Sequence, residues 1–480
     1  IPQVGFAAPT GGTAVSGGAT IPPKSSDMKI TSSSANNVIT WQDYSIAQGE
    51  RVQYDGGAKT NNYLNIVTGA NTSNINGTIE GGKDVYIVNP NGVIFGKSAQ
   101  VNVGNLYVST QDTGTLNQTN FTGTGASPLS TTDAGLSDVV NMGNITATKV
   151  EVYGKNIRFL NAADVTTTDP VVLHTDTANG GYAHIGYKSG NVPAVTAYQV
   201  NGANATAADN YYQLVADKTE FQNINSDRTK NYMLEDNIDF AGNALTPIAG
   251  TGFTGKFDGN FFKLQNFTIT GGTYTAPFGK VSNSRIENLG VTGATITGDK
   301  TGNQDRWAGG IIGHATGTTI KNVYVTDTTV DGEAGQHGGI VGQTVGTTLD
   351  SVYSKAKIGE GGAVIGTSSA GTVISDTYSN STKIVGTTGT ELIYFIDPSN
   401  GTTVKNTYVI GPRLATNESG LSATIATNTY IVNKTTGKAS KFKAAASTGK
   451  SMTAAGTYDG FDINNDGAPG AKWRIYEGRT

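Results

Sequence analysis

The sequence GGIIG at residues 309–313 recurs as GGIVG at 338–342 and as GAVIG at 362–366, and these copies decide the fold class. A second element keeps step with the first: a small polar residue, any residue, and then a tyrosine. Its tyrosines are Tyr324, Tyr353, Tyr378, Tyr408 and Tyr430, at spacings of 29, 25, 30 and 22 residues. A propeller blade needs about 40 or more residues. The shorter, unequal spacings favour a parallel β-helix, in which extra residues bulge at a corner while the strands still stack.

The composition supports an elongated all-β protein. The chain has 480 residues, 65 of them glycine, with 15% charged residues and no cysteine. Helical periodicity is nearly absent, and only residues 206–222 favour one short helix. The interpretation is an all-β, right-handed parallel β-helix (a solenoid) with one short helix and small extra-helical β elements. The absence of cysteine favours a chain that crosses membranes unfolded, and the polar start at Ile1 predicts a mature N-terminus whose targeting segment has been removed.

Charge and hydropathy exclude several partners. The net charge of −4 and the pI near 5.7 provide no basic surface, so nucleic acid and anionic membranes are poor partners. No apolar run approaches the roughly 18 residues that a membrane helix needs. We therefore expect a protein that does not span a membrane. We also expect it to be monomeric.

Several spaced motifs between about Ala8 and Thr110 point to a family. These motifs are Trp41 followed by Tyr44-Ser-Ile, Leu64-Asn65 with Val67-Thr-Gly69, Ile75-Asn76-Gly77, and Asn89-Pro90-Asn91-Gly92-Val93. Their order resembles the secretion domain of two-partner secretion exoproteins, the family of filamentous haemagglutinin and the high-molecular-weight adhesins. The sequence departs from the family pattern at Val93, where isoleucine is usual, and at Ile66, where arginine is common. The second departure predicts a changed local surface contact.

The resemblance implies a fold, a partner and a location. It implies that residues 1–205 form a right-handed β-helix with an N-terminal cap, recognised by the periplasmic POTRA repeats of a dedicated outer-membrane pore protein. The chain then passes through the periplasm of a diderm bacterium and folds at the cell surface or after release. The implied recognition motif is Asn89 to Val93, with Trp41, Asn65 and Asn76 as secondary positions. By itself, the motif indicates a turn, because Pro90 fixes φ while Asn91 and Gly92 accept a tight bend.

A second stretch resembles the GLUG-repeat region of bacterial surface proteins. Its signatures are Tyr232-Met-Leu234, Ile238-Asp239-Phe240, Pro247-Ile248 and the segment from Phe253 to Gly259. The resemblance implies a pre-GLUG β-helical region at 206–305, GLUG-type repeats at 306–455 and a terminal segment at 456–480. We expect this last segment to be truncated from a larger exoprotein.

The candidate catalytic and metal-binding residues are sparse. Asp236, Asp239 and Asp258 are the best acidic trio, but Asp239 and Asp258 lie in IDF and FDG motifs that are typical of turns, and no basic group completes an acid–base pair. The four histidines, at 174, 184, 314 and 337, are isolated. The segment containing Asp462, Asn464 and Asp466 resembles the start of a calcium loop, but Trp473 stands where the bidentate carboxylate belongs. The sequence therefore predicts no enzyme, no cofactor and no metal site, with an Asn/Asp-rich turn at 462–467.

The tyrosine row allows two interpretations. Tyr353 precedes Lys355 and Lys357 at alternate positions, which predicts that all three point outward. Tyr324, Tyr378, Tyr408 and Tyr430 would then stack with Tyr353 as an exposed aromatic strip. Such a strip either binds glycans, because aromatic rings offer an amphipathic face to sugars, or only stabilises neighbouring coils.

These observations predict an adhesin-type exoprotein that binds a host or bacterial surface receptor, which is a family-level inference. Three rivals remain open: the carrier portion of a contact-dependent growth inhibition toxin, a β-helical polysaccharide-active enzyme, and a haem or iron scavenger.

Overall fold

The computed structural model describes residues 8–249, 252–299, 306–331, 337–359, 361–369, 371–383, 394–397, 402–410, 424–433, 438–441, 450–451, 463–464 and 473–474. The chain divides into a first unit, residues 1–214, and a second unit, residues 215–480. The strands of the first unit are β1 (Thr13–Ser16), β2 (Asp27–Ile30), β3 (Asn36–Trp41), β4 (Arg51–Tyr54), β5 (Asn62–Val67), β6 (Ser73–Ile75), β7 (Thr78–Glu80), β8 (Asp84–Val88), β9 (Val93–Phe95), β10 (Gln100–Asn102), β11 (Asn105–Ser109), β12 (Val139–Asn141), β13 (Asn144–Thr146), β14 (Lys149–Tyr153), β15 (Asn156–Phe159), β16 (Val165–Thr166), β17 (Val171–His174), β18 (Tyr182–Tyr187), β19 (Tyr198–Val200), β20 (Ala203–Asn204) and β21 (Tyr211–Val215).

Helical structure is short in both units. The α-helices are α1 (Gln118–Thr124) and α2 (Lys218–Asn223), and the 3₁₀ turns are Asp55–Gly57, Thr113–Thr115, Ala162–Asp164, Thr177–Asn179 and Ile224–Ser226. The prediction of one helix within 206–222 is correct for its end and wrong for its start. Residues 211–215 form strand β21, and α2 begins only after Asp217, whose carboxylate accepts hydrogen bonds from the backbone N–H groups of Thr219 and Glu220.

Three parallel sheets run along the first unit, so each coil contributes one strand to each sheet. Sheet A contains β3, β5, β8, β11, β14, β17 and β19; sheet B contains β2, β4, β7, β10, β13 and β16; sheet C contains β6, β9, β12, β15, β18 and β21. In sheet A, Leu106 pairs with Val150 and Val108 pairs with Val152. Because side chains alternate along a strand, these four residues point into the coil and are buried. Two antiparallel strands flank sheet A: β1 pairs with β3, and β20 pairs with β19.

One long insertion interrupts the coils of the first unit. Residues 110–138 lie between β11 and β12 and carry α1. Their apolar side chains pack on the outer face of sheet A, where Phe121 and Leu129 join a buried cluster with Val38, Leu64, Ile66, Tyr86, Val88 and Tyr153. The outer face of this sheet is therefore apolar where the insertion covers it.

The second unit contains the repeats. Its strands are β22 (Tyr232–Leu234), β23 (Ile238–Asp239), β24 (Lys256–Asp258), β25 (Lys263–Gln265), β26 (Thr268–Thr270), β27 (Tyr274–Thr275), β28 (Phe278–Ser282), β29 (Arg285–Glu287), β30 (Gly290–Thr292), β31 (Thr295–Thr297), β32 (Trp307–Gly309), β33 (Ile312–Thr316), β34 (Thr319–Asp331), β35 (His337–Gly338), β36 (Val341–Val345), β37 (Thr348–Ile358), β38 (Gly362–Ser368), β39 (Val373–Ser379), β40 (Thr382–Lys383), β41 (Tyr394–Asp397), β42 (Thr403–Ile410), β43 (Thr424–Asn433), β44 (Lys438–Lys441), β45 (Lys450–Ser451), β46 (Ile463–Asn464) and β47 (Trp473–Arg474).

The repeated glycine-rich segments lie in register in the second unit. Ile312 pairs with Val341, and Val341 pairs with Ile365, all in parallel strands. The residues before them, Ile311 and Ile340, are fully buried. Each copy therefore places an aliphatic pair at the same position of successive coils. The fold-class prediction of an all-β parallel β-helix is confirmed.

The small polar residue of the second repeat forms a corner. Asn322, Ser351, Asp376 and Asn406 all have a left-handed backbone, with φ between 47° and 59°. The backbone turns there between two faces, and Asn and Asp tolerate this region better than most residues. Their side chains also bond from coil to coil, since Asn406 Nδ2 donates to Asp376 Oδ1 over 3.0 Å. The polar-x-Tyr pattern is thus a corner followed by one outward ring.

Candidate functional site

The Asn89 to Val93 motif forms a closed turn at the corner between β8 and β9. The Gly92 backbone N–H donates to the Asn89 carbonyl over 3.0 Å, which closes the turn. The Asn91 backbone N–H donates to Asn89 Oδ1 over 2.9 Å, as expected for an Asn that bonds its own backbone. Gly92 has φ of 110°, and a Cβ there would lie 3.1 Å from the Asp138 carbonyl oxygen. Only glycine fits this position without strain.

The preceding coil binds this turn through the amide side chains. Asn89 is fully buried, and its Nδ2 donates to the Asn71 carbonyl over 2.9 Å and to Ser73 Oγ over 3.0 Å. Asn91 Nδ2 donates to the Gly69 carbonyl over 2.9 Å. The Val67-Thr-Gly69 and Asn89-Pro-Asn91-Gly92 motifs, separate in the sequence, therefore meet at one corner. The polar run 71–73 was not singled out from the sequence, although its three small hydrogen-bonding side chains precede a strand.

The insertion binds the same turn from the opposite side. Ser137 Oγ donates to the Pro90 carbonyl over 2.6 Å, and the Val93 backbone N–H donates to the Asp138 carbonyl over 3.2 Å. Pro90 and Asn91 remain half-buried, whereas Asn89, Gly92 and Val93 are buried. The accessible part of the motif is therefore the Pro90 ring and the adjoining edge of Asn91.

The secondary positions Trp41 and Asn65 lie inside the coil. Trp41 Nε1 donates to Asn65 Oδ1 over 3.0 Å, and the Tyr54 hydroxyl donates to the same oxygen over 2.9 Å. Asn65 Nδ2 donates to the Tyr86 carbonyl over 3.0 Å, and the hydroxyls of Tyr44 and Tyr54 lie 2.7 Å apart. All five residues are buried, and burial raises the pKa of both the Tyr44 and Tyr54 hydroxyls above the usual range for tyrosine. Both hydroxyls therefore stay protonated, which such a closed network requires.

The remaining motif residues also have structural contacts. The Asn76 backbone N–H donates to the Ile46 carbonyl over 2.7 Å, and the Asn76 carbonyl accepts from Ser98 Oγ over 2.7 Å. Asn76 thus ties together three successive coils at another corner. Ile66, expected to change a surface contact, is only 2% exposed and packs in the same cluster as Phe121. The surface expectation for Ile66 is wrong, because the insertion covers that face of sheet A.

An ionic cluster occupies the outer face of sheet A beyond the apolar patch. Glu151 accepts hydrogen bonds from Tyr153 OH at 2.7 Å and His174 Nε2 at 3.0 Å, and Lys149 Nζ lies 2.6 Å from its second oxygen. Burial raises the pKa of Glu151, but the hydrogen bonds from His174, Lys149 and Tyr153 outweigh burial and lower the pKa to about 2. The Tyr153 and His174 rings stack with centroids 4.1 Å apart. This carboxylate is therefore ionised and fully engaged.

The five tyrosines of the polar-x-Tyr repeat occupy equivalent positions of paired strands. Tyr324 pairs with Tyr353, Tyr353 with Tyr378, Tyr378 with Tyr408, and Tyr408 with Tyr430. The rings of Tyr353 and Tyr378 stack, with centroids 5.3 Å apart and planes 26° apart. One face of each ring is therefore covered by the other ring. The side chains of Tyr408 and Tyr430 lie outside the described residues.

Each carboxylate of the acidic trio bonds nearby backbone, and Asp239 and Asp258 are the last residues of β23 and β24. Asp239 Oδ1 accepts from the Ala241 backbone N–H over 2.7 Å, and Asp258 Oδ1 accepts from the Asn260 backbone N–H over 2.8 Å. Asp236 Oδ1 accepts from the Asn237 backbone N–H over 2.8 Å. These are the backbone-bonding roles that the IDF and FDG motifs predict.

The two histidines of the repeats do not form one row. His314 pairs with Gln343 and His337 pairs with Ala308, so the two histidines belong to different rows. Asp462 and Asp466 lie outside the described residues, and Asn464 is described only as strand backbone. The Asn/Asp-rich turn at 462–467 therefore stays a prediction.

Comparison with known proteins assigns the first unit. Residues 6–197 match the family model of the TPS secretion domain, a range that contains the Asn89 corner, the Trp41–Asn65 network and the insertion. The chain carries a two-partner secretion domain. It is therefore an exoprotein exported through the periplasm to the cell surface or the extracellular space.

Two relatives extend this finding. One relative is a heme/hemopexin-binding protein of Haemophilus influenzae (strain ATCC 51907 / DSM 11121 / KW20 / Rd), which is 33% identical to this chain over 104 residues. This match covers 22% of this chain and 12% of the relative. A second heme/hemopexin-binding protein of Haemophilus influenzae is 34% identical over 85 residues, covering 18% of this chain and 9% of the relative. Each match spans less than an eighth of the relative's length.

A solved structure was also matched. The crystal structure of the HMW1 secretion domain from Haemophilus influenzae aligns with 89% of this chain and 100% of its own, at 14% identity and a TM-score of 0.27. Within the described residues, no helix is long and apolar enough to cross a membrane.

Proposed function

We propose that the secretion domain is recognised at the Asn89 to Val93 corner by the periplasmic POTRA repeats of a cognate outer-membrane pore protein. The observation that carries this proposal is the construction of the corner. Two motif segments meet there, Asn89 and Gly92 hold the backbone of the turn, and Pro90 and Asn91 are only half-buried. Trp41, Asn65 and Asn76 support the site from within the coils and act as positioning residues.

The construction of the corner decides how recognition is tested. Replacing Asn89 changes the fold as well as the surface, so loss of export by that variant does not isolate recognition. A photo-crosslinking side chain at Ala70 avoids this difficulty, because Ala70 is exposed and follows Gly69, which binds Asn91. The matched control is the same side chain at Asn144, which is exposed on β13 in sheet B.

The export assay uses the full chain with its cognate pore protein. We expect irradiation during export to join the pore protein to the chain labelled at position 70 and not to the chain labelled at 144. Equal crosslinking at both positions, or crosslinking only at 144, would remove the corner from recognition. Secretion of both labelled chains into the medium shows that the labels leave export intact.

We further propose that the exported protein is an adhesin whose second unit, with GLUG-type repeats, contacts a surface glycan through its tyrosine row. Tyr324, Tyr353 and Tyr378 are half-buried, and the exposed Lys355 and Lys357 lie on the same outward side of β37 as Tyr353. Hydroxyls and ammonium groups beside ring edges suit a polar, hydroxyl-rich ligand. No catalytic step is part of this proposal.

A glycan array tests the adhesin proposal. We expect the Tyr353→Ala and Tyr378→Ala variants to lose binding to whichever glycan the native chain retains, while Thr295→Ala, an exposed change on β31 of the same unit, retains it. Retention of glycan binding by both tyrosine variants would contradict the assignment to this row.

Haem, or a protein that carries it, is a second candidate ligand. It is favoured by the names of the two Haemophilus influenzae relatives. Titration of the full chain with haemin should then produce a Soret band that saturates at a fixed stoichiometry. A spectrum equal to that of haemin mixed with a non-binding protein would remove this candidate.

A further inference from the structure

We propose that residues 112–138, here called the strap, form a closure over the Asn89–Gly92 corner, and that the pore protein binds the corner while the strap is undocked. This inference rests on the recognition site proposed above. Docking of the strap would then end recognition, so the folded protein would leave its exporter rather than bind it again.

The tip of the strap, residues 112–129, covers an apolar face of sheet A. Phe121 of α1 is fully buried against the outer side chains of sheet A, and its ring meets the Tyr86 ring edge-on at 5.5 Å. Asn36 Nδ2 donates to the Thr122 carbonyl over 3.2 Å. The strands beneath the tip, β3, β5 and β8, precede the strap in the chain by 24 residues or more. The face can therefore form before the strap covers it.

The root of the strap, residues 130–138, binds the corner. Thr110, which is fully buried, joins both ends of the insertion: its Oγ1 donates to the Ser137 carbonyl over 3.0 Å, and its carbonyl accepts from the Leu136 backbone N–H over 2.9 Å. Ser137 in turn donates to the Pro90 carbonyl, and the Asp138 carbonyl lies over Gly92. Release of the root would free the Pro90 carbonyl and uncover the backbone of Gly92.

The tip and the root form one continuous unit. Gln111 Nε2 donates to the Ser130 carbonyl over 2.7 Å, and the Ser130 backbone N–H donates to Gln111 Oε1 over 3.1 Å. These bonds join the end of the tip to the root. Undocking of the tip therefore removes support from the residues that cover the corner.

The strap is held less firmly than the coils around it. Helix α1 has seven residues, QTNFTGT, which include three threonines, one asparagine and one glycine, and such a helix is not stable by itself. Its only buried residue is Phe121. The neighbouring coils, in contrast, share continuous parallel ladders in three sheets. Elements with few buried apolar contacts open at lower free energy than the core.

Hydrogen exchange of the full chain tests the motion. We expect the Phe121→Ala variant to exchange the amides of residues 112–138 and of Val93 at least about tenfold faster, while the amides of β8 and β14 keep their native rates. The matched control is Thr119→Ala, an exposed change on the same helix. Faster exchange confined to residues 112–129, with the Val93 amide unchanged, would show that the tip does not control the corner.

A crosslinked strap tests recognition. The native chain has no cysteine, so Asn36→Cys with Thr122→Cys can be joined specifically, by a disulfide or by a short bismaleimide. The probe is the purified periplasmic region of the pore protein. We expect the joined chain to bind it at least about tenfold more weakly than the same chain before joining, because binding scales with the open population. Phe121→Ala should bind more tightly than the native chain.

Two failures remain distinguishable. The Phe121→Ala chain keeps the coils of the corner and weakens only the docking of the strap, so its failure to bind would contradict the recognition site itself. Binding by this chain together with equal binding by the joined and unjoined folded chains would overturn the strap closure alone. Should Phe121→Ala unfold the whole unit, β8 and β14 would lose protection, and the joined chain would still decide the question.

Discussion

Two asparagine corners, one in each unit, are built differently. The corner at Asn89 lies in the first unit, and its buried side chain makes hydrogen bonds to Asn71, Ser73 and Asn91. The corner at Asn322 in the second unit is exposed, has φ of 53° and bonds one equivalent residue, Asn288, over 2.8 Å. The first corner depends on hydrogen bonds to residues that are not its equivalents in other coils. The second corner depends on its backbone angle and on a hydrogen bond to the equivalent residue of the neighbouring coil.

This difference distinguishes a corner with its own set of buried partners from a corner that recurs in successive coils. A repeated corner can lose one member, because the neighbouring coils keep theirs and stability is spread over the array. A single buried corner leaves several polar groups without partners when its side chain is removed, and each such group is costly in a buried place. Four substitutions compare how the stability of each unit depends on its side chains, and all are measured on the full chain.

The largest effect is expected from Asn89→Ala. The change removes every side-chain bond of a fully buried amide, and we expect the first unit to lose about 3 kcal/mol of unfolding free energy. Urea unfolding followed by hydrogen exchange, with peptides assigned to each unit, measures this loss. The exposed Asn144→Ala variant should change stability by less than about 0.5 kcal/mol. A loss of similar size in both variants would contradict a structural role for Asn89.

A smaller effect is expected from Asn322→Val in the second unit. A β-branched residue in the left-handed region is strained, so we expect a loss of about 1–2 kcal/mol. Asn322→Gly should change stability by less than about 1 kcal/mol, because glycine accepts this backbone angle. The same urea series measures both variants. Equal losses for valine and glycine would mean that the bond to Asn288, and not φ, governs this corner.

The outward tyrosines should contribute less again. Tyr353→Ala removes one stacked pair with Tyr378, and we expect a loss of about 1 kcal/mol in the second unit. Tyr353→Phe keeps the ring and should be close to the native chain in stability. If the phenylalanine variant is as unstable as the alanine variant, the hydroxyl contributes more than the stacking.

The last expectation concerns how the stability of the first unit changes at acidic pH. The pKa of Glu151 is lowered to about 2 from an ordinary value of 4.5, so its contribution is complete above pH 4.5 and is lost as the pH falls towards 2. We expect the stability difference between the native chain and Glu151→Gln in the first unit to shrink between pH 5 and pH 3. The second-unit peptides should not respond to this substitution. A difference that stays constant over this range would contradict the ionised cluster.

Local sequence patterns predicted much of the fold. The 29-residue and 25-residue spacings correspond to the paired tyrosines, and the outward side predicted for Tyr353, Lys355 and Lys357 agrees with their exposure along β37. These features are local, because strand alternation and a corner residue need only their neighbours in the chain. The secretion-domain motifs were likewise recognisable from short segments in a fixed order, and the family match confirms the resemblance that they indicated.

The sequence did not reveal where the motif residues lie. Trp41 and Asn65 are 24 residues apart, and nothing in either segment shows that Trp41 Nε1 meets Asn65 Oδ1 in the interior. Asn89 indicates a turn in the sequence, but its burial depends on residues 71–73 of another coil. Partners in adjacent coils are set by coil lengths, which vary irregularly along the chain.

By itself, then, the sequence determined the repeat, the strand pattern, the corners and the likeness to a secretion domain, because each arises from contiguous residues. Only the tertiary structure decided that residues 112–138 fold back over β3, β5 and β8 and place Ser137 on Pro90. Phe121 and Leu64 are 57 residues apart, and they join one buried cluster because stacking of the coils creates an uncovered apolar face. A face of that kind exists only after the coils have assembled, so no local pattern could indicate what covers it.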